Sequence, residues 1–247
     1  MLRVTGYTGG AVAIKCKYHN DHRQNKKYFC KGTTGLTCSD LIKTGVKNQW
    51  VTVERFSLYD HTTGGFFMVT FKDLTLEDTG TYYCAVDEML SPDKYTKVDL
   101  KIMKNECCEN ALNLSAYVGD TVHISCKFPQ EFKKWPKYFC KEAGHQGCKY
   151  KLSTPEDQTR VGDEKLSLHD NREGVLTVSI SSFSTSDAGS YWCGVDMGDY
   201  EALITHVQLT STKWCCVNTI QMTGLLEGDS VHISCPYPQG YEDTENQ

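Results

Sequence analysis

Thirteen cysteines in 247 residues are the first chemistry-bearing feature of the chain. Cysteine serves as a nucleophile, a metal ligand or half of a disulfide, and spacing separates these uses. Structural zinc usually takes cysteine pairs two to four residues apart, completed by a second pair or by histidines. No C-x-x-C pair occurs here. No H-E-x-x-H pattern, nucleophile elbow or phosphate loop appears, and Gly9-Gly10 lacks the following Lys-Ser/Thr of a phosphate cradle. Disulfide formation is therefore the expected chemistry, with no enzyme activity, no metal and no cofactor. Cysteines committed to bridges are removed as nucleophiles. Persistent bridges need an oxidising compartment, which points to the secretory route or the cell exterior.

The elements that hold these cysteines repeat. Cys16, Cys126 and Cys235 are 110 and 109 residues apart, and each closes a V-x-I-x-C strand whose period-two alternation buries Val, Ile and Cys on one face. Lys27-Tyr28-Phe29-Cys30-Lys31 recurs as Lys137-Tyr138-Phe139-Cys140-Lys141, followed eight residues on by Cys38 and Cys148. Asp78-Thr79-Gly80-Thr81-Tyr82-Tyr83-Cys84 recurs as Asp187-Ala188-Gly189-Ser190-Tyr191-Trp192-Cys193. Each copy is about a hundred residues of short alternating strands and turns, the texture of a β-sandwich.

A D-x-G-x-Y-x-C strand end about seventy residues after a strand cysteine predicts bridges between facing sheets, Cys16 to Cys84 and Cys126 to Cys193. Closing loops this long is worth roughly 4 kcal/mol in the chain-entropy model. Tyr82 and Tyr191 fit a tyrosine corner. Arg55 is placed to pair with Asp78, and Lys165 with Asp187, across the bottom of each sandwich, a pairing typical of variable-type domains. The core tryptophan expected on the third strand is replaced by Phe29 and Phe139, which still fill the core against the disulfide. The glycine bulge by which antibody variable domains pair side by side is missing near Tyr95 and Leu203.

The net charge of −5 is spread over 26 basic and 31 acidic residues, which argues against nucleic-acid binding. No apolar stretch approaches the ~20 residues of a membrane-spanning helix. The opening Met1-Leu2-Arg3-Val4-Thr5-Gly6 does not lead into a signal-peptide core. A disulfide-rich chain with neither feature is expected to be a piece of a longer membrane protein.

Taken together, K-Y-F-C-K, the additional cysteines Cys38 and Cys148, and D-A-G-S-Y-W-C-G-V at 187–195 resemble the polymeric immunoglobulin receptor family and its one-domain relatives, the CMRF35-like leukocyte receptors. The tandem form is similar to the multi-domain receptor-like proteins of bony fish. The resemblance implies an all-β fold of tandem immunoglobulin variable-type sandwiches, with second bridges Cys30–Cys38 and Cys140–Cys148. It implies domains at 1–103 and 104–212, and the truncated start of a third at 213–247, joined by a short rigid elbow. It further implies a plasma-membrane protein with these domains on the extracellular side.

The implied function is the ligand-binding region of a cell-surface immune receptor that signals or transports immunoglobulin. The alternatives are a phospholipid-recognising inhibitory or activating receptor, or a secreted decoy or adhesion module. By position in the family, His22, Arg23 and Lys26 in the loop before the third strand would contact a protein ligand such as polymeric immunoglobulin. Met89 and Leu90, an apolar loop tip between acidic residues, resemble the lipid-head-group sites of the one-domain relatives, and Asp196-Met197-Gly198-Asp199-Tyr200 is the matching loop of the second domain. Asn113-Leu114-Ser115 is the single glycosylation sequon. The pairing of Cys107, Cys108, Cys215, Cys216 and Cys235 stays open, with a ring between adjacent cysteines ranked last. Residues from about 217 onward are expected to be poorly ordered, since one strand pair buries no core.

Overall fold

The computed structural model describes residues 1–88, 92–108, 111–144 and 148–212. The opening of a third repeat and the expectation of disorder after 217 lie outside the described residues. Among the described residues the alternating segments form eighteen strands and two sandwiches.

In the first repeat, β1 (Leu2–Tyr7), β3 (Lys27–Lys31), β4 (Ser39–Thr44), β8 (Gly80–Val86) and β9 (Lys94–Met103) make one sheet in the order β1-β9-β8-β3-β4. Facing it are β2 (Ala11–Lys17), β5 (Trp50–Val53), β6 (Phe56–His61) and β7 (Phe66–Phe71), ordered β2-β7-β6-β5. The second repeat builds the same two layers. One holds β10 (Ala111–Tyr117), β12 (Lys137–Glu142), β13 (Cys148–Ser153), β17 (Gly189–Asp196) and β18 (Tyr200–Thr212). The other holds β11 (Val122–Lys127), β14 (Arg160–Gly162), β15 (Leu166–Asp170) and β16 (Val175–Ile180), ordered β11-β16-β15-β14.

Inward side chains of the alternating strands supply the cores: Val12, Ile14 and Cys16 on β2 are all but fully buried, as are Ile124 and Cys126 on β11. Cys16 and Cys84 are bonded across the first sandwich with Cα atoms 5.8 Å apart, and Cys126 and Cys193 across the second at 6.3 Å. Phe29 stacks on Tyr82 at 5.3 Å, and Phe139 on Tyr191 at 4.9 Å, so a phenylalanine fills each core beside the disulfide. The tyrosine hydroxyls donate to the Asp78 and Asp187 carbonyls at 2.7 and 2.6 Å. Arg55 makes a two-pronged contact with Asp78, both distances 2.8 Å, and Lys165 meets Asp187 at 2.6 Å. Cys30 bonds Cys38, and Cys140 bonds Cys148.

Two expectations need correction. Cys107 and Cys108, whose mutual ring ranked last, are bonded to each other. Every other cysteine among the described residues already has a partner inside a sandwich. The junction is also more than an elbow. The first residues of β18 pair antiparallel with β2, Tyr200 opposite Ile14 through Leu203 opposite Ala11, so one sheet runs on from the second sandwich into the first.

The sequence at this junction explains the close approach. Gly10 lies where a Cβ would fall 2.4 Å from the Leu203 carbonyl oxygen, so only glycine fits. Ala11 and Ala13 are small, and with Met68 they take up Tyr138, Trp192 and Leu203. Tyr7 donates to Glu131 at 2.7 Å, Lys17 reaches Asp199 at 2.8 Å, and Lys72 bonds Glu142.

Replacing Gly10 by valine is expected to separate the sandwiches while each keeps its own melting behaviour, read as a rise in radius of gyration by small-angle scattering. An unchanged radius contradicts the sheet continuity. A second expectation concerns acid. Burial alone would raise the Glu142 carboxyl, but hydrogen bonds from His206 and Lys72 outweigh it and hold it down at about 2 against an ordinary 4.5. A carboxyl depressed in this way contributes stability above its free value and loses it as pH falls towards the folded one. The amide shifts of Ala11–Ile14 should therefore drift between about pH 4.5 and pH 2, and Glu142→Gln should flatten that drift.

Candidate functional site

The predicted contact loop follows β2, and what lies beneath it sets its shape. Lys27, the first residue of β3, points inward and is fully buried, and its ammonium meets Asp60 on β6 at 3.0 Å. Asp60 also accepts from the Tyr18 hydroxyl at 2.7 Å, and the Lys27 ammonium donates to the Asn25 carbonyl at 2.7 Å while lying 4.2 Å over the Tyr18 ring. Burial pushes the Lys27 ammonium below the usual lysine range, and the Asp60 carboxylate works against that. The loop is thus tied at Tyr18 and Asn25 to a buried charge pair. The second repeat copies the device: Lys137 meets Asp170 at 3.0 Å, both fully buried, and donates to the Lys133 carbonyl at 2.8 Å.

The loop above contains one 3₁₀ turn, Asn20–His22. His22 Nδ1 lies 2.6 Å from Glu88 Oε1 without hydrogen-bond alignment, both side chains half-buried, while the Asn25 amide donates to Glu88 Oε2 at 3.4 Å and joins this loop to the start of the β8–β9 connection. Three more contacts close the same seam. The Asn25 amide donates to the Asp87 carbonyl at 2.9 Å, the Asp87 amide donates to the Lys26 carbonyl at 2.9 Å, and Lys43 meets Asp87 at 2.7 Å. On the far side of the hairpin Asp93 accepts from the Glu88 amide at 2.8 Å and from the Tyr28 hydroxyl at 2.5 Å. Burial first, and then Asp93, push the Tyr28 hydroxyl far above its ordinary range, so it stays a donor.

Of the three predicted contact residues, Arg23 and Lys26 are exposed and His22 is turned inward as a staple. The structure therefore separates a positioning histidine from two presented cations. Arg23 is steadied by the Asn20 side chain at 3.1 Å. An exposed, pre-oriented guanidinium offers a forked donor to carboxylates. Met89 and Leu90 lie outside the described residues.

The matching loop of the second domain packs against the first domain. Its hairpin end is turned onto the first domain: Tyr200 is buried, its hydroxyl accepts from the Thr5 amide at 3.3 Å, and the Asp199 carbonyl accepts from the Lys15 amide at 2.9 Å. Docking takes up the backbone that a ligand would need. Asn113 stands exposed on β10, with Ser115 beside it bonded to Thr210 at 2.8 Å. Among the described residues no group of three or more His, Cys, Asp or Glu side chains is placed to hold a metal ion, and no helix is long and apolar enough to cross a membrane.

The immunoglobulin V-set domain model matches residues 2–103 and again 109–212. The chain belongs to the immunoglobulin V-set family. Within this family it is 30% identical to the polymeric immunoglobulin receptor of Homo sapiens over 99% of this chain and 31% of that protein. It is 34% identical to CMRF-35-like molecule 4 of Mus musculus over 42% of this chain and 47% of that one. These relatives bear out the resemblance to the polymeric immunoglobulin receptor and CMRF35-like group, and with it the all-β fold of tandem immunoglobulin domains. Among solved structures the teleost fish polymeric Ig receptor ectodomain is 21% identical, covers 86% of this chain and 97% of that chain, and gives a TM-score of 0.37. The chain spans about a third of the human receptor's length.

Lys27 and Asp60 are 33 residues apart, and no local pattern pairs them. The signal lay in the repeat, since both return as Lys137 and Asp170. Asp60→Ala leaves a buried ammonium unpaired and is expected to cost about 3–5 kcal/mol, whereas Lys27→Met with Asp60→Leu should recover most of it. Urea denaturation of the three chains tests this, and equal loss in the single and double variants would show that the pair does not hold the fold.

Proposed function

We propose that this chain is the ligand-binding extracellular region of a plasma-membrane immune receptor, and that the loop end of its first domain captures immunoglobulin. The observation that carries this reading is the pair of exposed cations, Arg23 and Lys26, on a loop fixed by Lys27 from below and by His22–Glu88 from the side. Such a surface suits a carboxylate-bearing protein ligand, because little side-chain and loop ordering is left to be lost on binding. The matching hairpin of the second domain is occupied by docking, which leaves the first domain as the presenting end. Relatives named for polymeric immunoglobulin support the choice of ligand. In this reading the full-length protein is anchored in the membrane, with the domains outside and Asn113 carrying a glycan.

The test is surface plasmon resonance of the chain over polymeric immunoglobulin, with phosphatidylserine liposomes as the competing surface. Arg23→Ala with Lys26→Ala should weaken immunoglobulin capture at least about tenfold, roughly 1.4 kcal/mol, with the melting temperature unchanged. His22→Gln should act more weakly, through a faster off-rate. Capture unaffected by the double change, or binding to liposomes alone, would overturn the assignment.

A further inference from the structure

The two repeats treat one surface in opposite ways. The outer face of β2 and β7 in the first domain carries Ala13 and Met68, which the second domain covers with Tyr138 and Trp192. The strand registers put His123 of the second domain at the position of Ala13, Thr177 at that of Met68, and His169 at that of Tyr59. The covered face of the first repeat, which also holds Thr70 and Ser57, is thus more polar in the second, where His123 and Arg160 are exposed and Thr177, Ser179 and His169 are half-buried. Those side chains are not those of a face built to take another sandwich.

This polar face is concave. Small residues make its floor: His123 stands opposite Ser179, Ser179 opposite Ser167, and Ser167 opposite Gly162. In the next row Thr177 stands opposite His169, and His169 opposite Arg160. The result is a cleft of about 450 Å³ between a wall bearing His123 and a wall bearing Arg160 and His169. That volume falls within the range of small-ligand sites, about 300–1,000 Å³. Gly162 is required at the rim: it sits at φ +116°, and a Cβ there would meet the Leu166 carbonyl oxygen at 2.1 Å. His123 Nδ1 is held by Ser179 Oγ at 2.9 Å, which orients its ring. Among the described residues lining the cleft there is no carboxylate.

We propose that this cleft is a second binding site, for an acidic saccharide unit. Arg160 supplies a permanent forked donor for a carboxylate or sulfate. The two imidazoles add donors on either side. The hydroxyls of Ser167, Thr177 and Ser179 match the ring hydroxyls of a sugar, each able to give or accept. A bare inorganic anion leaves that hydroxyl floor unused, and a peptide finds no deep apolar anchor. The site is independent of the immunoglobulin-binding loops, being on the other domain.

The experiment is an amide-shift titration of the ¹⁵N-labelled full chain with three probes: sialyllactose, a sulfated heparin disaccharide, and neutral lactose. The expected result is perturbation at Ser167, Thr177 and Ser179 by one or both acidic sugars, with lactose silent, and the pattern between the two tells carboxylate from sulfate recognition. Arg160→Gln should weaken binding by about tenfold or more, and Thr177→Leu, which fills the floor without changing charge, should abolish it. Three results would each overturn the proposal: no perturbation by either acidic sugar at about 10 mM, an equal response to lactose, or unchanged affinity in both variants.

Discussion

A lysine ammonium sealed between two sheets is the constraint on which the working end of each sandwich depends. Lys27 and Asp60 stand on opposite layers, with 0% and 2% of their side chains exposed. Removing both charges from water is expensive, and their attraction compensates only where the remaining hydrogen-bonding capacity is also used. Here it is used on the loop. The ammonium takes the Asn25 carbonyl and the carboxylate takes the Tyr18 hydroxyl, so the charge pair is satisfied only when the loop adopts this path. Lys137 does the same with the Lys133 and Trp135 carbonyls. The desolvated pair contributes little net stability by itself. Its effect is to make other loop conformations costly, and that gives Arg23 and Lys26 a fixed position.

The bottom of each sandwich is arranged by different means. There the Arg55–Asp78 contact is partly open to water, and the Asp78 carboxyl, raised by burial but lowered more by Arg55 and the Thr75 amide, stays below its ordinary range. The same Asp78 presents its backbone carbonyl to the Tyr82 hydroxyl. One residue thus ties an ion pair, a turn and the core tyrosine together, and the stacked Phe29 ring carries that order towards the disulfide. Asp187, Tyr191 and Phe139 repeat it. This end is generic to the repeat, and the loop end is where the two copies diverge.

Legibility in the sequence followed the range of the interactions. Strand alternation, the cysteine spacings and the aspartate–tyrosine element are local patterns, and they mark the sandwiches from the residues alone. Lys27 was harder to read, because in K-Y-F-C-K a lysine next to an exposed loop looks solvated, and the carboxylate that buries it is 33 residues away. His22 was read as a contact residue for a similar reason: Glu88, which turns it inward, belongs to another loop. The junction between the domains was least legible. Nothing near Gly9-Gly10 in sequence calls for glycine, and only the Leu203 carbonyl, nearly two hundred residues on, shows why Gly10 has no side chain.

That junction also explains how one repeated sequence yields two different surfaces. Duplication supplies each domain with the same edge strand, the same outer sheet face and the same hairpin. Pairing two of them uses the edge and face of one copy and the hairpin of the other. Ala11, Ala13 and Gly10 suit the first copy to be covered, since each removes bulk where a backbone must approach. Thr121, His123 and Asp120 hold those positions in the second copy, where bulk and polarity keep the face in water. The division of labour follows from these few side chains. Among the described residues the first domain leaves Arg23 and Lys26 exposed in its loop, and the second domain leaves His123 and Arg160 exposed on its sheet face.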